Sequence, residues 1–133
     1  MATVSRSVTL NASLADVWGL IGNFQALADW HPAAASVTKE DIGGTEHRRI
    51  HLEGGGEILE QLHGSGDGNY SYTIVESPLP VSGYLSMISA AEKDGKTIVT
   101  WGSTFEPTAD GAEDVVAGIY EAGFGALTER FGS

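Results

Sequence analysis

Apolar residues alternate with polar ones at the start of the chain: Val4, Val8 and Leu10 share one parity, Ser5, Ser7 and Thr9 the other. A period of two predicts a half-buried strand there. The period then lengthens. Ser13 with Asp16 three positions later forms a capping box, and Leu14, Val17, Trp18 and Ile21 recur at helical spacing, so a short helix follows. A second short helical piece, about Phe24 to Asp29, must end near Trp30-His31-Pro32, because the residue before a proline is pushed out of the α region.

From Ser36 to Phe105 the period is two again, in runs near 36–42, 45–53, 56–64, 69–77, 83–92 and 96–105. Glycine-bearing turns separate most of them, and links this short predict an antiparallel meander. The exception is Pro78-Leu79-Pro80, a stiff extended loop. The last segment, Ala109 to Phe131, carries Val116, Tyr120, Phe124 and Leu127 on one helical stripe and should be the longest helix. Gly118, Gly123 and Gly125 lie inside it at about 1 kcal/mol each relative to alanine, which calls for a close approach to a sheet or a ligand. Strand, two short helices, six strands and a long helix make one α+β domain over residues 1–133. A strongly twisted sheet and a single helix do not fill the space between them, so an internal cavity is expected.

The turn at Glu53 to Gly56 fixes a register that sets Ile50 opposite Ile58 and Arg48 opposite Glu60, on the same face as Leu52 and Leu62. An inward charge pair among apolar side chains has three readings: a structural bridge, an anchor for a ligand, or a group that moves protons. The same reasoning at the Glu92–Lys96 hairpin sets Trp101 against Met87 and Val99 against Ser89, with Phe105 and Leu85 on that face. Tyr70, Tyr72 and Ile74 form an inward set if Leu62 and Tyr70 are opposite. His31 lies where the short helices give way to strands; it either caps helix-end carbonyls or serves a ligand as base or hydrogen-bond partner.

Charge narrows the partners. With 18 acidic and 7 basic side chains the net charge is −11, a field that repels nucleic acid and anionic lipid surfaces. No apolar run reaches the length of a membrane span, and no signal-like apolar segment opens the chain, so a cytoplasmic protein is expected. The chain has no cysteine, which excludes disulfides, thiolate metal sites and a cysteine nucleophile. Of the four histidines, His47, His51 and His63 fall on the outer face by parity and His31 lies elsewhere, so neither a metal nor any other cofactor is expected. The glycine turns precede no helix as a phosphate loop must, and no Gly-x-Ser-x-Gly elbow occurs.

With Asp16-Val17-Trp18, Asn23-Phe24, Trp30-His31-Pro32, Arg48, Glu60, Ser77 to Val81, Tyr84, Trp101 and Phe105-Glu106-Pro107, the chain resembles the polyketide cyclase/dehydrase-like branch of the START and Bet v 1-like superfamily, from end to end. That resemblance implies a helix-grip fold: seven antiparallel strands around the C-terminal helix, two short helices beneath it, and an internal hydrophobic cavity. It also implies a lipid, polyketide or aromatic ligand held by a carrier or sensor, or else a cyclase- or dehydratase-like activity. The Ser77 to Val81 loop is similar to the proline-containing gate of plant hormone receptors in the superfamily.

The expected pocket is lined by Trp18, Ile50, Tyr72, Met87, Trp101, Tyr120 and Phe124 and reached past Pro80, with Arg48 suited to an anionic or carbonyl group. In the enzymatic alternative Glu60 or His31 is the acid or base and Arg48 stabilises an enolate. The protein is expected to be a monomer or a homodimer with a small hydrophobic ligand as its partner.

Overall fold

A computed structural model describes all 133 residues of the chain. Its elements follow the order read from the pattern: β1 (Ala2–Leu10), α1 (Leu14–Ile21), a 3₁₀ helix (Phe24–Asp29), β2 (Ala34–Ile42), β3 (Thr45–Leu52), β4 (Glu57–Gly66), β5 (Asn69–Glu76), β6 (Val81–Lys93), β7 (Lys96–Pro107) and α2 (Ala112–Phe131). The Ser13 hydroxyl caps α1 by accepting from the Asp16 amide at 3.1 Å, and the Asn23 side chain caps the 3₁₀ helix in the same way.

All seven strands form one antiparallel sheet in the order β1-β7-β6-β5-β4-β3-β2, so every neighbour is a sequence neighbour except at the β1–β7 seam. The sheet bends around α2, whose face of Val116, Tyr120, Phe124 and Leu127 is buried against it. This is the helix-grip arrangement that the family resemblance implies. The core is a single cluster of 24 buried residues drawn from the inner sheet face, α2 and both short helices, so there is one core and one interior.

The β3–β4 register is as the turn arithmetic predicts, with Arg48 opposite Glu60 and Ile50 opposite Ile58. At β6 the prediction fails by one residue. The β6–β7 hairpin closes on two residues, Asp94 and Gly95, both at positive φ, so Lys93 pairs with Lys96 and Ile88, not Met87, faces Trp101. Because side chains alternate, a slip of one turns every β6 residue over. Tyr84, Ser86 and Ile88 are buried inside, whereas Leu85 and Met87 are 43% and 51% exposed on the outer face. Met87 therefore does not line the inner cavity.

Bulges in β4–β5 move Leu62 opposite Tyr72 instead of Tyr70. That displacement is even in register, so Tyr70 and Tyr72 keep their inward face and both are buried. His51 and His63 are at least partly exposed, while His47 is buried with its Nδ1 against the Thr45 carbonyl.

Candidate functional site

β3, β4, β5 and the 3₁₀ helix bring their inner residues together beneath α2 around a cavity with a free volume of about 60 Å³. Twelve of its fifteen lining residues are apolar or aromatic, so its chemistry is set by the other three: His31, Arg48 and Glu60. Ile50, Tyr72 and Trp101 line it as expected. Trp18 does not; its ring packs 6.2 Å from that of Tyr70 beside α1. Tyr120 and Phe124 are buried in the wall behind Trp101, Tyr120 stacked on its indole at 4.4 Å and Phe124 tilted at 6.2 Å. Pro80 also stays outside the cavity, its carbonyl accepting from the Thr108 amide at 2.9 Å, while its neighbour Leu79 reaches the lining.

The polar floor is an ion pair. Arg48 Nε donates to Glu60 Oε1 at 2.6 Å, with side-chain exposures of 1% and 7%. Arg48 Nη1 donates to the Phe24 carbonyl at 2.7 Å, and the guanidinium carbon lies 4.1 Å from the Phe24 ring centre and 4.9 Å from that of Tyr72. A buried guanidinium is tolerable only when neutralised and hydrogen-bonded, and here a carboxylate, a carbonyl and two aromatic faces do both. Burial pushes the Glu60 carboxyl up from the usual carboxylate range, with Arg48 pulling against it. The pair is close to neutral as seen from the cavity.

His31 is fixed at both nitrogens. Nδ1 accepts from the Ala33 amide at 3.1 Å, which leaves Nε2–H to donate to the Ile119 carbonyl of α2 at 2.8 Å. Burial, and to a smaller degree Arg48, holds its pKa below that of a free histidine. It is a neutral tie between the end of the short helices and α2. The carbonyl it takes belongs to Ile119 in the middle of α2, not to the end of the short helices as a helix-end cap would require, and His31 also lines the cavity.

Gly123 makes that tie possible. A Cβ there would lie 2.9 Å from His31 Cδ2, 3.0 Å from Trp30 Cζ3 and 3.1 Å from Trp101 Cζ3, so the close approach demanded by a helical glycine is real at this position. Gly118 and Gly125 face open space and have no such reason.

A hydrogen-bonded aromatic network forms the far wall. Trp101 Nε1 donates to the Tyr72 hydroxyl at 3.0 Å, the Tyr84 and Tyr120 hydroxyls are bonded to each other, and Ser86 lies 3.2 Å from Tyr120 while donating to the Gly102 carbonyl. Burial raises the pKa of Tyr72, Tyr84 and Tyr120, so all three present neutral hydroxyls. Sequence reasoning missed Tyr84 as a lining residue because the β6 slip turned it outward on paper. The 3₁₀-helix residue Leu27 and Ile119 of α2 also line the cavity; neither carried a signal in the sequence beyond ordinary core periodicity.

The family model described as polyketide cyclase / dehydrase and lipid transport matches residues 1–132. Among solved structures, a putative uncharacterized protein from Bacillus thuringiensis is 35% identical with a TM-score of 0.91, 98% of each chain being covered. The protein XoxI from Bacillus cereus is 33% identical with a TM-score of 0.91, over 98% of this chain and 96% of that one. The di-domain ARO/CYC StfQ from the steffimycin biosynthetic pathway shares the fold at 8% identity, with a TM-score of 0.73 over 96% of this chain and 51% of its own. Among curated proteins none matches.

Proposed function

The chain belongs to the polyketide cyclase / dehydrase and lipid transport family, and from that premise we propose that it is a cytoplasmic carrier or sensor for a small, neutral, largely apolar organic molecule held in the cavity beneath α2. The observation that carries this reading is the mutual neutralisation of Arg48 and Glu60 inside an otherwise apolar lining. A bare Arg48 would suit an anion. With Glu60 at 2.6 Å a ligand carboxylate would meet a carboxylate, whereas a ketone, ester or hydroxyl meets a polarised pair that fixes its orientation without a desolvated net charge.

Size sets the ligand's buried part. A water needs about 10–15 Å³ of such free volume, so the cavity takes roughly four to six waters or an apolar head of about four to six heavy atoms. Such a head binds chiefly by removing apolar surface from water, at about 25 cal/mol per Å². The test uses 2-pentanone, a neutral five-carbon ketone, titrated into isotopically labelled protein. Amide signals of Ile50, Tyr72 and Trp101 should shift saturably, and shifts that never saturate, or that ignore these residues, would remove the pocket from consideration. Native mass spectrometry of protein purified from its own host then looks for the natural ligand.

A cyclase- or dehydratase-like reading draws on one specific observation, the raised pKa of Glu60 at the cavity wall. A carboxyl raised in this direction is suited to general acid–base work. His31 is a poor base because Nδ1 already accepts from Ala33 and Nε2 already donates to Ile119. Glu60→Gln separates the two readings: a carrier keeps its affinity within a few-fold, whereas an enzyme loses roughly a hundredfold or more in turnover.

A further inference from the structure

β5 and β6 are hydrogen-bonded from Asn69 opposite Ser89 to Thr73 opposite Leu85, and there the ladder stops although both strands continue. Beyond that point β5 is held by β4, with Glu76 opposite Leu59, and β6 by β7, with Val81 opposite Pro107. Each strand therefore stays in the sheet through its other neighbour. The parting is an internal slit, not a frayed edge. Its cause is local: a bulge at Leu59/Glu60 in the β4–β5 ladder and another between Ser82 and Leu85 in the β6–β7 ladder, where Gly83 has a positive φ, re-aim the two strands away from each other.

The slit has a free volume of about 420 Å³ and is lined by Val75, Glu76, Ser77, Ser82 and Gly83, together with Ile74 and Tyr84. Ile74 and Tyr84 also line the inner cavity, so the two spaces adjoin at these two side chains. Continued, the register would pair Ile74 with Tyr84 and then Val75 with Gly83; neither pair forms, and Val75 and Gly83 also fall at the bulges of the neighbouring ladders, so neither has a residue opposite it on either side. A largely polar space, with Glu76, Ser77 and Ser82 in its lining, thus abuts a small apolar one.

We infer that the slit is the outer half of the ligand site: it takes the arm of an elongated neutral molecule, an amide- or hydroxyl-bearing chain whose short acyl head occupies the inner cavity. This rests on the pocket reading above and adds the ligand's second half and its way in, between β5 and β6. Main-chain N–H and C=O groups at Val75 and Gly83 recognise an amide as a missing strand would, by donating and accepting at once. Glu76 at the slit and the net charge of −11 disfavour an anionic arm.

N-butanoylglycinamide and 2-pentanone share the same four-carbon acyl head and differ in the arm. Titrated separately into labelled protein, the glycinamide should bind roughly tenfold more tightly, the gain of one or two net hydrogen bonds, and should additionally shift the amides of Val75 and Gly83. Val75 is 49% exposed at the slit, so Val75→Trp should obstruct it without disturbing the core. That variant, checked by an unchanged melting temperature, should lose the glycinamide's advantage and keep the wild-type affinity for 2-pentanone. Equal affinities of the two compounds in the wild type, or an advantage that survives Val75→Trp, overturn the slit while leaving the inner pocket standing. Failure of both compounds to bind overturns both.

Discussion

Removing one partner of the Arg48–Glu60 pair should cost far more than its single hydrogen bond. In Glu60→Gln the 2.6 Å contact keeps an oxygen acceptor, but a guanidinium whose side chain is 1% exposed loses its counter-charge. Breaking such a buried pair costs about 3–5 kcal/mol because an uncompensated charge stays out of water. Phe24 and its carbonyl remain against the guanidinium and should hold the loss near the lower end, about 3 kcal/mol. Arg48→Met should cost a similar amount, since Glu60 is then buried alone with its carboxyl pushed further up. Arg48→Met combined with Glu60→Gln removes both charges and should cost less than the two single changes summed, with a coupling of about 2 kcal/mol or more. Urea unfolding at pH 7, read as midpoints at constant slope, measures all four corners of this cycle. Single losses under about 1 kcal/mol, or strict additivity, would mean that the pair is hydrated and that the neutral cavity floor does not exist.

Two further outcomes follow from the same interior. Gly118→Ala and Gly125→Ala, in open space on α2, should each stabilise the fold by about 0.5–1 kcal/mol through helix propensity, whereas Gly123→Ala should destabilise it by about 1–3 kcal/mol because three rigid rings lie about 3 Å from the new methyl; urea midpoints that shift alike for all three would refute the close approach. His31 has a folded pKa below its unfolded value, so its contribution is fully present above about pH 6.5 and is lost as the pH falls from there through the folded pKa, with a slope of at most about 1.4 kcal/mol per pH unit. Thermal melts between pH 7 and 5 should therefore fall more steeply for the wild type than for His31→Gln, and parallel curves would show that His31 is not buried as a neutral tie.

The three polar residues of the cavity were legible in the sequence because each sits next to strong punctuation. The glycine turn after Glu53 leaves one sensible register for β3 and β4, which places Arg48 opposite Glu60, and Pro32 ends the helical segment at His31. Met87 went to the wrong face for the opposite reason: Asp94-Gly95 closes a hairpin in two residues, but counting one residue more in the loop is enough to turn over the whole of β6. The cavity's presence could be argued from the element order, but its size could not. That size is what remains after Tyr120 stacks on Trp101 and Phe124 packs tilted against it, a matter of three-dimensional packing that no spacing encodes. Likewise a bulge leaves no reliable trace in a period-two pattern, so the parting of β5 from β6 was invisible beforehand.

The seam between β1 and β7 has a consequence for how the molecule comes into being. Ala2 pairs with Phe105 and Leu10 with Thr97, so the first strand made has its only sheet partner nearly a hundred residues downstream. Every other strand finds a neighbour within one hairpin, and β2 to β7 can zip up in sequence while the N-terminal strand waits. Closing a loop of that length is slow relative to local pairing. During synthesis, then, Val4, Val8 and Leu10 stay unsheltered until the ribosome has released most of the chain, and docking of the first strand is the step that completes the domain.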